Sequence, residues 1–267
     1  MSLPGPGLLE RYRPASSPLH RLDARPKLIA ALALIAAVAA TPPGAWHVFA
    51  VLALVVALAA AAGRVSPAGL LKGVLLVLPF TLVAAPTVFT RAGQEMWQVQ
   101  LFGWTLTATR EGLAFFLSVM CKGVISVCAA YTLTATTRFD DIAAALRFLR
   151  VPYLLVSIVS STYRYLFVLT DEAARLSRAR LARSTRGDGR GGGSLMWRAR
   201  VTGGMVGSLF LRTYERSERV YQAMLARGFD GELRVLPRPA LDIRVWAATL
   251  AFVAALAGVE TIAAIRW

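Results

Sequence analysis

The chain has 267 residues, of which 56% are hydrophobic, and it carries a formal net charge of +15. A soluble domain of this composition would expose large apolar patches, so the composition predicts an integral membrane protein. The basic excess suits anionic lipid or an acidic protein surface. It does not indicate nucleic acid, because aromatic residues are not interleaved with the basic ones as a base-stacking surface requires.

Five apolar stretches are long enough to cross a bilayer as helices. They cover residues 27–41, 44–62, 69–89, 112–134 and 244–264. The first 26 residues are polar, and we expect no removable signal peptide there. The motif Thr41-Pro42-Pro43-Gly44 predicts a tight hairpin between the first two spans, because proline lacks an N–H donor and restricts its neighbour. The many alanines of these two spans predict close helix packing.

The basic residues predict the orientation of the spans. With the N-terminus in the cytoplasm, 26 of the 30 Lys and Arg residues fall on the cytoplasmic side, as the positive-inside rule requires. Residues 1–134 then hold an N-terminal cytoplasmic segment and four spans. Residues 135–243 form a cytoplasmic insert, and residues 244–267 form the last span. The fold class is therefore all-α, a polytopic membrane protein with about five spans and a helical insert.

The insert is predicted to contain three helices. A short one starts at Asp140 or Asp141 and ends at Arg150, with acidic and basic ends that suit the helix dipole. A long amphipathic helix follows Pro152 and runs to about Arg183. A glycine-rich linker at 184–193, without phosphate-loop spacing, leads to a third helix from about Ser194 to Arg227.

The long helix has a second interpretation. Residues 151–169 are apolar enough to form a sixth span. Five arginines would then follow directly on the outer side, against the charge rule. We therefore expect a cytoplasmic helix here, and the sixth span remains the alternative.

Two similar tripeptides end the two longest predicted helices of the insert. They are Ala182-Arg183-Ser184 and Ala226-Arg227-Gly228. A guanidinium offers five donors in a fixed fork and is favoured at a helix C-terminus. The small neighbours leave room for a close-fitting groove on another protein. The alternative is an ordinary basic helix end, with Gly228 as a left-handed terminating residue.

Few other residues suggest chemistry. Lys122 lies inside a span, where a charge is costly, so we expect it to face the bundle, water or a partner subunit. We expect no acidic neighbour at its depth, because Glu260 lies close to a helix end. Cys121 and Cys128 are interpreted as small apolar residues rather than a redox pair. We predict no catalytic residue and no metal site in this chain.

Three stretches resemble the transmembrane T component of energy-coupling factor (ECF) transporters, in particular the CbiQ-type subunit of cobalt and nickel importers. They are Ser17–Leu28, the paired Ala-Arg-small motifs, and Ser208–Gly231. Two departures are Ala24, where the family usually has proline, and Ser184 in place of a second glycine.

The resemblance implies a role in coupling. The chain would bind no ATP, and ATP and Mg²⁺ would bind to two partner ATP-binding cassette subunits. The tripeptides, with Arg183 and Arg227 as the contacts, would dock into those ATPases. Further partners would be a substrate-binding membrane subunit, a candidate small accessory membrane subunit and the lipid bilayer of a bacterial inner membrane. Lys122 would be a candidate contact for the substrate-binding subunit, which would carry cobalt, nickel or a vitamin.

Two other classes of protein remain as alternatives. A membrane enzyme acting on lipid-linked substrates would need a carboxylate or histidine cluster near the interface. The acidic pairs Asp140-Asp141 and Asp171-Glu172 are better explained as helix-start charges. A stand-alone secondary transporter would need intramembrane polar pairs and broken helices, towards which only Lys122 and the two prolines Pro79 and Pro86 point.

Overall fold

The computed structural model describes residues 17–101, 104–184, 194–231 and 243–266, and these residues are almost all helical. The helices within these ranges are α1 (Pro18–Arg21), α2 (Ala24–Ala40), α3 (Trp46–Ala62), α4 (Pro67–Leu82), α5 (Thr87–Thr90), α6 (Arg110–Thr136), α7 (Phe139–Phe148), α8 (Tyr153–Ser184), α9 (Leu195–Ala226) and α10 (Ile243–Arg266). Two short strands, β1 (Glu95–Leu101) and β2 (Trp104–Thr109), separate α5 from α6. The predicted all-α class is confirmed.

Each of the five predicted spans contains a helix, namely α2, α3, α4, α6 or α10. Three helices, α6, α10 and Tyr153–Arg183 of α8, are long and apolar enough to cross a membrane, and α3 and α4 are apolar but shorter. The third predicted span, 69–89, is wrong in its second half, because α4 ends at Leu82 and a turn leads to α5. Pro86 explains the break, since its ring disfavours a helical conformation in the preceding residue.

A β-hairpin, which was not predicted from the sequence, precedes α6. Strands β1 and β2 pair antiparallel, with Leu101 opposite Trp104 and an irregularity between Glu95 and Trp97. Thr109 ends β2 and caps α6, because its hydroxyl accepts from the Gly112 N–H at 3.2 Å. The hairpin thus leads directly into α6, an apolar helix of 27 residues.

The predicted turn between the first two spans is confirmed. Helix α2 is capped at Thr41, α3 begins at Trp46, and Gly44 adopts a left-handed φ of 92°. Glycine is suited to this position because a side chain is strained at positive φ.

The chain divides into two compact units. Of the described residues, one unit contains 17–101, 104–145 and 243–266, and the other contains 146–184 and 194–231. The first unit has an apolar core contributed by α2, α3, α6 and α10, in which Val38 and Leu52 are completely buried. Helices α4 and α6 approach closely, since a Cβ at Gly69 would lie 2.0 Å from the Tyr131 hydroxyl oxygen.

The short predicted helix of the insert is confirmed as α7, with Asp140 and Asp141 in its first turn. It ends at Phe148, two residues earlier than predicted. Arg150 instead adopts a left-handed φ of 60° in the turn before Pro152. The predicted membrane sides of residues 1–134, 135–243 and 244–267 stay predictions.

Candidate functional site on helices α8 and α9

Helix α8 forms as one continuous rod of 32 residues, as the sequence predicts. Its first turn is set by Pro152, whose carbonyl accepts from the Leu155 N–H at 3.0 Å. At 1.5 Å per residue the rod is about 48 Å long. It meets the length and hydropathy requirements of a span, yet it belongs to the compact unit of α9 and not to that of the other apolar helices. Its placement at the membrane surface stays a prediction.

Helix α9 also has 32 residues and begins where the sequence predicts. The Ser194 hydroxyl accepts from the Trp197 N–H at 3.3 Å and caps the helix. None of its residues is buried. Large apolar and aromatic side chains of this helix therefore lie open, with Leu211 62%, Tyr214 58% and Tyr221 52% exposed.

Helices α8 and α9 contact each other in an antiparallel manner. The Arg212 guanidinium donates to the Glu172 carboxylate at 2.9 Å. Eight residues further along α8, Arg180 donates to the Thr202 hydroxyl at 3.0 Å. Thr202 precedes Arg212 on α9, so the two helices run in opposite directions.

Glu172 is the centre of this contact, and its interpretation as a helix-start charge is wrong. It lies in the interior of α8 and not at a helix start, whereas Asp140 and Asp141 do begin a helix. Glu172 also pairs with Arg175 one turn later. The hydrogen bond from Arg175 is the main cause that lowers the pKa of Glu172, and the bond from Arg212 lowers it further. The signal available in the sequence was the i, i+3 spacing of Glu172 and Arg175.

The tripeptide at the end of α9 has a defined backbone geometry. Gly228 has a φ of 78°, which confirms the predicted left-handed terminating residue. The Gly228 N–H donates to the Leu225 carbonyl at 2.9 Å, and the Phe229 N–H donates to the Met224 carbonyl at 3.0 Å. These two bonds form a Schellman motif. Arg227 is the C-cap residue between them, and its backbone is therefore fixed while its side chain is exposed.

The other tripeptide lies at the end of α8. Ala182 and Arg183 are exposed in its last turn, and Ser184 is its final residue. Of the predicted glycine-rich linker at 184–193, Ser184 belongs to α8, and residues 185–193 lie outside the described residues. Among the described residues, neither Arg183 nor Arg227 makes a side-chain hydrogen bond or ion pair within the chain.

The structure does not bring the two tripeptides together. Arg183 lies about eleven residues, or about 16 Å, beyond Glu172 along α8. Arg227 lies about fifteen residues, or about 22 Å, beyond Arg212 along α9. Because the helices are antiparallel, these lengths extend in opposite directions, and the tips are up to about 39 Å apart.

Lys122, the remaining predicted site residue, lies in the first compact unit and has partners within the chain. Its ammonium donates to the Ala39 carbonyl at 2.8 Å and interacts electrostatically with Glu260. The Thr41 hydroxyl lies 2.8 Å from the same Glu260 carboxylate. The expectation that Lys122 has no acidic neighbour is therefore wrong. Helix α2 is short, so its C-terminus lies part-way along α6, at the level that Glu260 of α10 reaches.

This cluster has a structural explanation. The last carbonyls of a helix lack partners within it, and a cation near them is favoured by the helix dipole. The Gly44 N–H also donates to the buried Ser118 hydroxyl at 3.0 Å. The α2–α3 turn is thereby attached to both α6 and α10. A role for Lys122 in binding a second subunit stays a prediction.

The fold and the site together define a class of protein: a helical membrane protein with an exposed antiparallel pair of helices, each ending in an Ala-Arg-small tripeptide. Residues 15–237 match the CbiQ family, described as cobalt transport protein, and the chain belongs to this family. The matched range contains α8, α9 and both tripeptides. CbiQ and EcfT homologues are transmembrane components of ECF transporters.

Three similar proteins illustrate the relationship. The cobalt transport protein CbiQ of Rhodobacter capsulatus is 30% identical over 64% of this chain and 68% of its own length. A fused cobalt transport protein CbiMQ of Methanocorpusculum labreanum is 28% identical over 81% of this chain. The ECF transporter transmembrane protein EcfT of Listeria innocua is 27% identical over 84% of this chain and 85% of its own length. This chain spans only 35% of the fused protein.

Proposed function

We propose that this chain is the transmembrane coupling subunit of an ATP-driven ECF-type importer that takes up cobalt or nickel. In this proposal α8 and α9 receive the conformational change of two partner ATPase subunits and pass it to a separate substrate-binding membrane subunit. ATP and Mg²⁺ bind to the ATPases, and the ion binds to the substrate-binding subunit.

One observation carries this proposal. The two arginine-tipped ends lie on opposite ends of one helix pair, and both guanidiniums are exposed with no partner among the described residues. A separation of up to about 39 Å suits two separate docking surfaces better than one. Membership of the CbiQ family supports the same conclusion.

The surroundings of the tips suit a protein partner. Leu181, next to the first tripeptide, is 54% exposed, and Leu225, next to the second, is 44% exposed. Arginine is enriched among the residues that contribute most to binding at protein interfaces, and exposed apolar side chains beside it add surface that a partner can bury. A Schellman motif fixes the backbone of the second tip, so Arg227 is presented with little loss of backbone freedom on binding.

A second candidate concerns the cargo and not the mechanism. The EcfT relative is aligned over a larger share of both chains than the CbiQ relative. The chain could therefore couple ATPases to a subunit that carries a different small molecule, such as a vitamin. Uptake of radiolabelled cobalt and nickel by cells that express the complete complex distinguishes the two candidates, since a vitamin importer takes up neither ion.

The coupling role is tested by reversing both tip charges. In the Arg183→Glu/Arg227→Glu variant we expect loss of co-purification with the ATPase subunits and loss of ATP-dependent uptake. Binding falls because each glutamate places a like charge where an acidic or carbonyl acceptor receives the guanidinium. The variant should still insert into the membrane, since neither arginine supports the core.

The matched control is Arg178→Glu/Arg216→Glu. It makes the same change of charge at two exposed arginines of the same helices, away from the tips. The control should assemble and transport. Normal assembly and uptake in the tip variant, or equal loss in both variants, would overturn the assigned role.

A further inference from the structure

Helices α1, α2, α3, α6 and α10 surround a cavity of about 560 Å³. It lies at the end of their unit where α2 and α10 begin and α3 and α6 finish. We propose that this cavity binds an acyl chain of one anionic phospholipid, with the lipid phosphate held at the mouth by Lys27 and Arg244. This inference is independent of the coupling role.

The cavity has the size and lining of a hydrocarbon site. Its volume falls within the range of small-molecule pockets, about 300–1,000 Å³. Space is left by small side chains on three helices, Ala30, Ala59 and Ala248. From Lys27 at the mouth to Leu34 deeper in, the cavity follows α2 for about seven residues, or about 10 Å.

The polar atoms in the wall do not favour water or a polar ligand. The Thr132 hydroxyl donates to the Cys128 carbonyl at 2.8 Å, and the Thr249 hydroxyl donates to the Val245 carbonyl at 2.9 Å. Thr136 likewise donates to its own helix. Each threonine has thus used its single donor and offers a water only acceptor sites, whereas a buried water needs two to four partners. An acyl chain can enter such a site without breaking any of these hydrogen bonds.

The mouth is basic and formed from two helices distant in sequence. Lys27 of α2 and Arg244 of α10 both line the cavity. Lys27 donates to the Thr136 carbonyl at 3.4 Å, and an ammonium has three donors. Asp23 and Asp141 act electrostatically on Lys27 and partly balance its charge, so the exposed Arg244 is needed to hold an anion.

These two features together select one chemical class. Basic pockets between membrane helices bind anionic lipid headgroups. A free phosphate would leave the apolar cavity empty, and a zwitterionic lipid would bring its own cation to the two cations of the mouth. An anionic glycerophospholipid uses both the cavity and the charge.

The test is native mass spectrometry of the full-length purified chain with added phosphatidylglycerol or phosphatidylcholine of identical acyl chains. We expect phosphatidylglycerol to bind more tightly. Replacement of both cations in Lys27→Gln/Arg244→Gln should weaken it by about 20- to 30-fold. The control Arg21→Gln/Lys72→Gln removes two exposed charges that do not line the cavity and should bind as the wild type does.

The acyl chain is tested separately by filling the cavity. Ala59→Leu/Ala248→Leu should abolish the tight binding, whereas Ala57→Leu/Ala247→Leu, on the same helices but outside the cavity, should not. Glycerol phosphate should not displace the lipid. The proposal is overturned if the two lipids bind equally, if the charge variant matches its control, if glycerol phosphate competes, or if the filled cavity keeps its lipid.

Discussion

At the scale of single residues, Gly228 determines the geometry of the α9 tip. Its φ of 78° places it in the left-handed region, where a Cβ is unfavourable. The Schellman bonds that depend on this conformation fix the backbone on both sides of Arg227. The direction of the guanidinium therefore depends on its neighbour.

We expect Gly228→Ala to destabilise the last turn of α9 by about 1 kcal/mol and to weaken ATPase binding although Arg227 is retained. Hydrogen exchange of the amides at 224–229 and an affinity measurement check the two effects. Gly228→Asn is the matched comparison, because asparagine tolerates the left-handed region better than alanine. If Gly228→Ala and the wild type showed equal hydrogen exchange and equal affinity for the ATPase, this explanation of the tip would be contradicted.

Single residues could be predicted from the sequence where their role has a local cause. Gly228 was predicted because a glycine directly after a helical pattern has a local cause. The neighbours of Lys122 and Glu172 were not predicted. Each lies on a different helix, and the relative depth of two helices depends on packing that no local pattern records.

At the scale of elements, the α8–α9 contact depends on the ionised form of Glu172. Hydrogen bonds, first from Arg175 and then from Arg212, lower the pKa of Glu172. A lowered pKa means that the contact stabilises the pair above the ordinary glutamate value of about 4.3 and is lost as the pH falls through the lowered value. The contact is therefore fully formed at neutral pH.

We expect Glu172→Gln to reproduce the acid form at neutral pH and to increase hydrogen exchange along α8 and α9. The effect should be modest because the two arginines are about 60% exposed and screened by solvent. Glu218→Gln, an exposed glutamate on α9, is the control and should leave exchange unchanged. Identical exchange in the two variants would show that Glu172 does not hold the helices together.

Long helices were easier to predict than short elements. The ends of α8 and α9 were predicted to within one or two residues because Pro152, Ser194 and Gly228 provide start and stop signals. The β1–β2 hairpin was missed, although the alternating Thr105 to Thr109 segment favours a strand. The end of α4 at Leu82 was missed because the apolar sequence continues past Pro86, and the predicted span was extended with it.

At the scale of the whole molecule, the two compact units differ in how they are stabilised. The unit of α2, α3, α6 and α10 has a shared apolar core. In contrast, α9 has no buried residue and exposes several large apolar side chains, Phe210 among them at 67%. An exposed apolar surface of this kind marks an interaction site. The exposed apolar face of α9 is therefore a candidate interaction surface.

The central claim is that each arginine-tipped end holds its own ATPase subunit. Native mass spectrometry of the complex without ATP, so that nucleotide does not join the ATPases, counts the copies bound to each variant. Arg183→Glu alone and Arg227→Glu alone should each retain one copy, and the double variant should retain none. Two copies on the double variant, or loss of both copies from either single variant, would contradict the claim.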